Sequence, residues 1–182
     1  KKKLKIYKPK ISIITVVKND ENKILNTLRS VFIQKYKNFE YIVIDGKSKD
    51  KTFKILKENK KRIDVIISQK DKNLWEAMNK GISLSRGNII GFVNSGDIIH
   101  KNTLSLVNKY FNNHKIDYLF GPVEKDRVLF RFEPKKINYR FNIYPSHSTG
   151  FFVVKKIHHD LGFYDVNLNF GADYDFIYKI LK

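Results

Sequence analysis

Two rhythms of apolar positions alternate along this chain. "ISIITVV" at 11–17 is almost unbroken hydrophobic sequence, the profile of a parallel strand covered on both faces. Ile24, Leu25, Leu28, Val31 and Phe32 then recur at helical spacing, with Asn19 or Asp20 available as the cap. "FEYIVID" at 39–45 predicts a second strand, "DKTFKILKEN" a second helix and "IDVIIS" at 63–68 a third strand. "LWEAMNKGISLS" predicts a third helix with Leu74, Met78 and Ile82 on one face and Gly87 ending it. "NIIGFV" reads as a fourth strand and "NTLSLVNKYF" as the helix after it.

Strand and helix alternating through short connections imply right-handed crossovers and an open parallel sheet. After about residue 115 the rhythm changes: "IDYLFGPV", "RVLFRFE" and "STGFFVV" predict further strands joined by turns. The expected organisation is a basic segment over 1–10 and one α/β domain over 11–182, Rossmann-like for two thirds and mixed in its C-terminal third. The start without Met and the end inside a helical pattern, "DYDFIYKILK", suggest a piece of a longer chain. No apolar run is long enough to span a bilayer, and the absence of cysteine excludes disulfides and thiolate metal sites. A net charge of +18 would suit nucleic acid, anionic lipid or phosphorylated ligands. The lysines are scattered over every segment, however, so a solvated surface explains them equally well.

Against that charge, the acids at the strand ends stand out. Asp45 ends the second strand, Asp71 lies just beyond the third, and Asp97 follows the fourth in "NSGD". Ligands of open α/β sheets bind beyond the carboxyl ends of the strands. Each acid also has an ordinary use: Asp45 in a turn, Asp71 as cap of the third helix. Neither G-x-x-x-x-G-K-[ST] nor G-x-G-x-x-G follows the first strand, so no glycine loop cradling phosphate is expected. Carboxylates at this edge could accept hydrogen bonds from a base or ribose, or hold a divalent cation against phosphates.

"ISIITVVKNDENKILNTLRSVFIQKYKNFEYIVIDGKSKDKT" closely resembles the opening of family 2 glycosyltransferases of the GT-A fold. The likeness is strongest to the bacterial subgroup that builds O-antigen and other surface polysaccharides. "DKNLWEAMNKGISLSRGNIIGFVNSGD" continues it, and "GADYDFIYKIL" resembles the acceptor-side end of the catalytic domain, so the likeness runs from about Ile11 to Leu181. It implies a GT-A, Rossmann-like open and mostly parallel sheet, with the nucleotide bound by about 11–100 and the acceptor side within about 101–182. It places Val17 and Asp45 beside the uracil, Asp71 and Lys72 as an acid and a base beside the nucleotide, and Asn79 towards the sugar nucleotide. Ser48 and Asp50 would shape the loop and helix start. "NSGD" stands in place of the D-x-D metal motif, making Asn94 and Ser95 nucleotide-sugar contacts and Asp97 the metal ligand for Mn²⁺ or Mg²⁺.

Asp173 falls at the position of the catalytic base, where a carboxylate would take the proton of the attacking acceptor hydroxyl. Its ordinary alternative is to cap the terminal helix, and Asp175 would support that helix. His147 matches a residue on the acceptor side that would contact phosphate, metal or acceptor. His158 and His159 are expected on the surface of a short helix, and Trp75 and Met78 in the core. The chain departs from the family pattern at Lys18, where an aromatic residue is common, and at Asn94, Gly96 and Ala172, where acids often stand.

The function implied is inverting transfer of a sugar from a nucleotide donor, a UDP-sugar, to a glycan or lipid-linked acceptor of surface polysaccharide. A cytoplasmic location with peripheral contact to an anionic membrane, and no nucleic-acid partner, would go with it. Two alternatives stay open at this point: a basic nucleic-acid-binding domain, and a transferase-like domain that binds a nucleotide without catalysis.

Overall fold

The computed structural model describes residues 10–125, 128–130 and 148–182. Among these, β1 (Ile11–Val17), β2 (Phe39–Asp45), β3 (Val65–Ser68) and β4 (Ile89–Phe92) alternate with α1 (Ile24–Phe32), α2 (Thr52–Glu58), α3 (Leu74–Leu84) and α4 (Thr103–Asn113). Then come β5 (Tyr118–Phe120), β6 (Val123–Lys125), β7 (Val128–Phe130), β8 (Phe151–Val154), α5 (Lys155–Leu161) and α6 (Ala172–Leu181). The described residues form a six-stranded sheet in the order β3-β2-β1-β4-β8-β5 and a separate β6-β7 hairpin. β1, β2, β3 and β4 are parallel, and β8 runs antiparallel between β4 and β5.

β1 is buried along its whole length because helices cover both faces of the sheet. Its side chains alternate between two cores. Ile11, Ile13 and Val17 join Leu28, Val31, Leu56 and Leu104 on one face; Ile14 and Val16 join Trp75, Met78, Ile82, Phe151 and Phe176 on the other. α3 lies directly on β1 at Gly81, where a Cβ would come within 2.4 Å of Ile14 Cγ2. The mixed last third is also as expected, although "STG" forms a single 3-10 turn and only "FFVV" enters the sheet.

The amino-terminal edge of the sheet is closed by one buried acid. Glu40 accepts hydrogen bonds from Ser12 Oγ (2.6 Å), Arg86 Nε (2.8 Å), Gly87 N (3.1 Å) and the Arg86 backbone N–H, which ties the starts of β1 and β2 to the turn before β4. Burial pushes this carboxyl up, but the Ser12 hydroxyl, the Arg86 groups and the Gly87 N–H together hold it below its ordinary value. Gly87 does not end α3, whose C-cap is Ser85. It is glycine because a Cβ there would meet Ser12 Oγ at 2.6 Å.

Other expectations are corrected. Neither Asn19 nor Asp20 caps α1 with its side chain; the N-cap is Lys23, and both side chains serve the loops described below. Leu74 is 47% exposed at the start of α3, and Trp75 takes the buried place beside Met78. Asn73, not Asp71, caps α3 by accepting from Glu76 N at 3.1 Å. His158 is not at the surface. It is fully buried, stacked on Phe176 at 4.3 Å with 8° between the rings, and joins α5 to α6. Neither of its ring nitrogens has a partner. Trp75 and Met78 are core residues as expected.

Burial, reinforced by the charges of His159 and Lys155, pushes the His158 imidazole down to about 3 from its ordinary 6.5. Between those two values the unfolded chain binds a proton that the folded one excludes, so stability falls as pH falls, with a slope of up to about 1.4 kcal/mol per pH unit. His158→Phe should remove this contribution: urea unfolding of wild type and variant between pH 7 and pH 5 should show a shallower pH dependence in the variant. Parallel curves would contradict the assignment.

Candidate active site

The register makes β1, β2 and β3 end level. Val17 pairs with Asp45, and Asp45 with Ser68. β1 and β4 continue the edge through backbone bonds from Val93 N to Ile14 O (3.0 Å) and from Ser95 N to Val16 O (3.2 Å), which deliver Asn94 and Ser95 beside the end of β1. The loops at this edge must satisfy their backbone groups without a strand partner. The "DGKSKDKT" segment does much of that work. Ser48 Oγ accepts from Asn19 N (2.8 Å), Thr52 Oγ1 from Asp20 N (2.9 Å) and Asp50 Oδ2 from Glu21 N (3.1 Å). In return Asn19 Oδ1 accepts from Lys49 N (2.8 Å) and Glu21 Oε2 from Lys51 N (2.6 Å). Asn19 and Lys47 both take positive φ, at 52° and 59°, so that the two loops can face each other. The Thr52 hydroxyl, followed by the Thr52 and Glu21 N–H groups, holds the Asp50 carboxyl below its ordinary value.

Asp45 is fully buried, and its carboxylate accepts from Ser48 Oγ (2.5 Å), Ser68 Oγ (2.5 Å) and Ser48 N. It anchors the loop from inside. Asp71 differs. Lys80 Nζ lies 2.6 Å from its Oδ1, while Oδ2 is buried with no partner. Asp71 lines a cleft of about 330 Å³ with Val16, Val17, Lys18, Gly46, Lys72 and Ala77. A buried carboxylate oxygen without a donor is costly, and here it borders a cavity that a ligand can enter. Lys18, in the place expected for an aromatic residue, puts a cation on the same wall.

Asn79 does not turn to this cleft. Its amide donates to Tyr164 O (2.8 Å) and accepts from Tyr164 N (3.1 Å), clipping the segment after α5 onto α3. Asn73 Nδ2 to Val166 O (2.8 Å) and Lys72 Nζ to Asn167 Oδ1 (3.4 Å) extend that seam along the rim of the cleft. The same segment leads into α6, which carries Asp173 in its first turn. Asp173 is not the helix cap; that position is Gly171, in a left-handed conformation. Asp173 Oδ1 accepts from Tyr174 N at 2.9 Å. The Tyr164 phenol is pushed up first by burial and then by the charge of Asp173.

In the "NSGD" turn, Ser95 Oγ donates to Asp20 Oδ2 (2.7 Å) and Asn94 Nδ2 to Ser148 Oγ (3.1 Å). The Asp97 carboxylate accepts from the Thr149 hydroxyl. Among the described residues no group of three His, Asp or Glu side chains comes together to hold a metal ion. Within this one turn, the Asp97 carboxylate and Asn94 Oδ1, the latter buried without a partner, supply an all-oxygen set of the kind a hard cation takes. It is incomplete without further oxygens from a ligand. His147 lies outside the described residues. The residues missed by the sequence reading are Ser68, Ser148 and Thr149: each acts across the sheet through a hydroxyl, and no periodicity marks such a role.

Comparisons with known proteins agree with this architecture. The family model described as "Glycosyl transferase family 2" matches residues 12–168. An uncharacterized glycosyltransferase of Methanocaldococcus jannaschii is 28% identical over 189 residues, covering 93% of this chain and 63% of its own. The UDP-Glc:alpha-D-GlcNAc-diphosphoundecaprenol beta-1,3-glucosyltransferase WfgD of Escherichia coli is 31% identical over 134 residues, 71% of this chain and 53% of its own. The chain thus spans little more than half the length of these relatives. Among solved structures, S. aureus TarS 1-349 in complex with UDP-GlcNAc superposes with TM-score 0.81 at 22% identity, over 93% of this chain and 52% of that one. The mannosyltransferase PcManGT from Pyrobaculum calidifontis in complex with GDP-Man and Mn2+ does so with TM-score 0.70 at 17% identity, over 92% and 50%. Both share the fold.

Ser48 holds Asp45 and the Asn19 backbone at once. Ser48→Ala should therefore cost about 1.5–3 kcal/mol, the range for a hydrogen bond to a charged group, because the buried Asp45 carboxylate loses one of its donors. Urea unfolding should register that loss, and hydrogen exchange at the Asn19, Asp20 and Glu21 amides should quicken. Unchanged protection would mean that the stitch does not hold the loop.

Proposed function

The chain belongs to glycosyl transferase family 2, and from that premise we propose that it moves a sugar from a UDP-sugar, with inversion, to a glycan or lipid-linked acceptor in surface-polysaccharide synthesis. The observation that carries the donor assignment is the unpartnered Asp71 oxygen on the cleft beside Val17. A uracil offers an N–H donor to such an oxygen, and the cleft has apolar walls for the ring. The fold neighbour solved with UDP-GlcNAc and the WfgD relative, named for its use of UDP-Glc, support the same choice.

The chemistry then divides among residues of this chain. Asp173 takes the proton of the acceptor hydroxyl as that oxygen bonds to the anomeric carbon and the bond from that carbon to the diphosphate oxygen breaks. One base suffices for a direct displacement, whereas glycoside hydrolysis generally employs a pair of carboxyl groups. Lys18 and Lys72 stand on the cleft wall to offset the charge that the leaving diphosphate gains. Asp97, with Asn94 beside it, would hold a Mn²⁺ or Mg²⁺ shared with the diphosphate; when bound, that cation supplies further neutralisation of the leaving group. Asp45, Ser48 and Asp50 keep the floor of the cleft in place. A lipid-linked acceptor would bring the basic surface against an anionic membrane face. Among the described residues no helix is long and apolar enough to cross the bilayer.

Calorimetry of UDP binding tests the donor site. Asp71→Asn should weaken UDP about tenfold to a hundredfold, the range expected when a charge-assisted hydrogen bond is lost. Equal affinity in both proteins would remove Asp71 from base recognition. Asp173→Asn should abolish transfer to acceptor while leaving UDP affinity unchanged; retained turnover would take Asp173 out of the role of base.

A further inference from the structure

The "NSGD" turn is gripped from two sides. On the α1 side, Thr27 Oγ1 accepts from Gly96 N (3.0 Å) and donates to the Asp97 carbonyl oxygen (2.9 Å), fixing the backbone. On the β8 side, the buried Thr149 donates its hydroxyl to Asp97 Oδ2, and Ser148 Oγ accepts from the Asn94 amide at 3.1 Å. Resting on the donor site argued above, we propose that Thr149 is the positioning residue that orients the Asp97 carboxylate for a divalent cation shared with the nucleoside diphosphate, with Ser148 orienting the Asn94 side-chain amide and so its Oδ1.

The physical reason is that, among the described residues, no second acid joins Asp97. An aspartate carboxylate turns easily about its last bond, because that torsion has broad wells. Where several acids surround a cation, each can turn without loss of the site. Where one acid must serve, its rotation is free-energy cost added to every binding event. A hydroxyl held on Oδ2 sets the carboxylate plane and so the place of Oδ1. Thr149 is itself placed by the short turn Ser148–Gly150 that opens β8, and Gly150 O is bonded by Gly121 N at 2.7 Å. The orienting group therefore comes from the antiparallel strand inserted next to β4, a long way along the chain from the turn it serves. Partners of this kind on metal-ligating side chains are commonly worth tenfold to a hundredfold in affinity.

The test uses Mn²⁺ itself as probe. Mn²⁺ binding to the UDP complex is titrated by electron paramagnetic resonance, and UDP binding is measured by calorimetry in EDTA, for wild type, Thr149→Val and Thr149→Ser. Thr149→Val keeps the shape and removes the donor, and should weaken Mn²⁺ about tenfold to a hundredfold with UDP affinity in EDTA and melting temperature unchanged. Thr149→Ser should retain the Mn²⁺ affinity of wild type. Full Mn²⁺ affinity in Thr149→Val overturns the proposal alone. A wild type whose UDP complex binds no Mn²⁺ overturns the cation reading of Asp97, and the role of Thr149 with it. Loss of UDP binding in EDTA together with a lower melting temperature would make Thr149 a residue of the fold and not of the site. Should Thr149→Val fail to fold, Thr149→Ala against Thr149→Ser gives the same comparison.

Discussion

Glu40 is the interaction on which the geometry of the rest depends. It is a charged group inside the protein, stable there because donors from β1, from the turn before β4 and from the Arg86 guanidinium all reach it. A buried carboxylate with fewer donors would be a severe penalty. Satisfied, it draws the starts of β1, β2 and β4 to one place and sets their register. β1 and β2, seven residues each, then end level at Val17 and Asp45, and the shorter β3 pairs with the second half of β2 so that Ser68 ends beside Asp45.

The acids at the carboxyl edge divide into two sets by what their oxygens already do. Asp45, Asp50 and Asp20 accept hydrogen bonds from neighbouring loops or side chains, and they build the floor. Asp71 has a buried oxygen left over, Asp97 is held by a hydroxyl beside the strand end, and Asp173 stands in the first turn of α6. A chain of net charge +18 can carry these acids at low cost, since the surrounding field favours negative charge. On the proposed reading the same field would draw an anionic diphosphate towards the edge, with Asp71 and Asp97 deciding where base and cation sit.

The alternation of apolar runs and helical stripes was enough to read β1 through α4, because a sheet covered on both faces leaves little choice of pattern. The mixed order of the last strands was legible only as a change of rhythm. Polar side chains were harder. Asn19 and Asp20 have the chemistry of helix caps, and nothing local says that Lys49 N and Ser95 Oγ, far along the chain, claim them instead. His158 sits next to His159 in a short basic helix and carries no sign of being the member that faces Phe176. Leu74 and Trp75 are adjacent on α3, and which of them turns inward is decided by Tyr164, which packs against Trp75 at 5.8 Å. The family motifs pointed to Asp45 and Asp97, but the hydroxyls that bond their carboxylates from a distance along the chain come from β3, as Ser68, and from the turn before β8, as Thr149. Their role appears only when the sheet is assembled.

A donor site built this way has a consequence for how base and cation act on each other. On the proposed reading Asp71 would recognise the base through an oxygen that lacks a donor in the free protein, so nucleotide binding would relieve a cost already present there. Asp97, one carboxylate with a neutral amide oxygen near it, offers a bare cation too few ligands for firm binding. On the same reading the missing oxygens would come from the diphosphate. Cation and nucleotide would then raise each other's affinity by the same factor, as thermodynamic linkage demands. A base held at Asp71 would bring the diphosphate towards the "NSGD" turn, where Asp97 would hold the cation. Metal dependence in such a site is a measure of coupling across the cleft between β3 and β4, and its size depends on how rigidly the two edges are joined. That rigidity comes from β1 lying between them, buried along its length and tied at its start by Glu40.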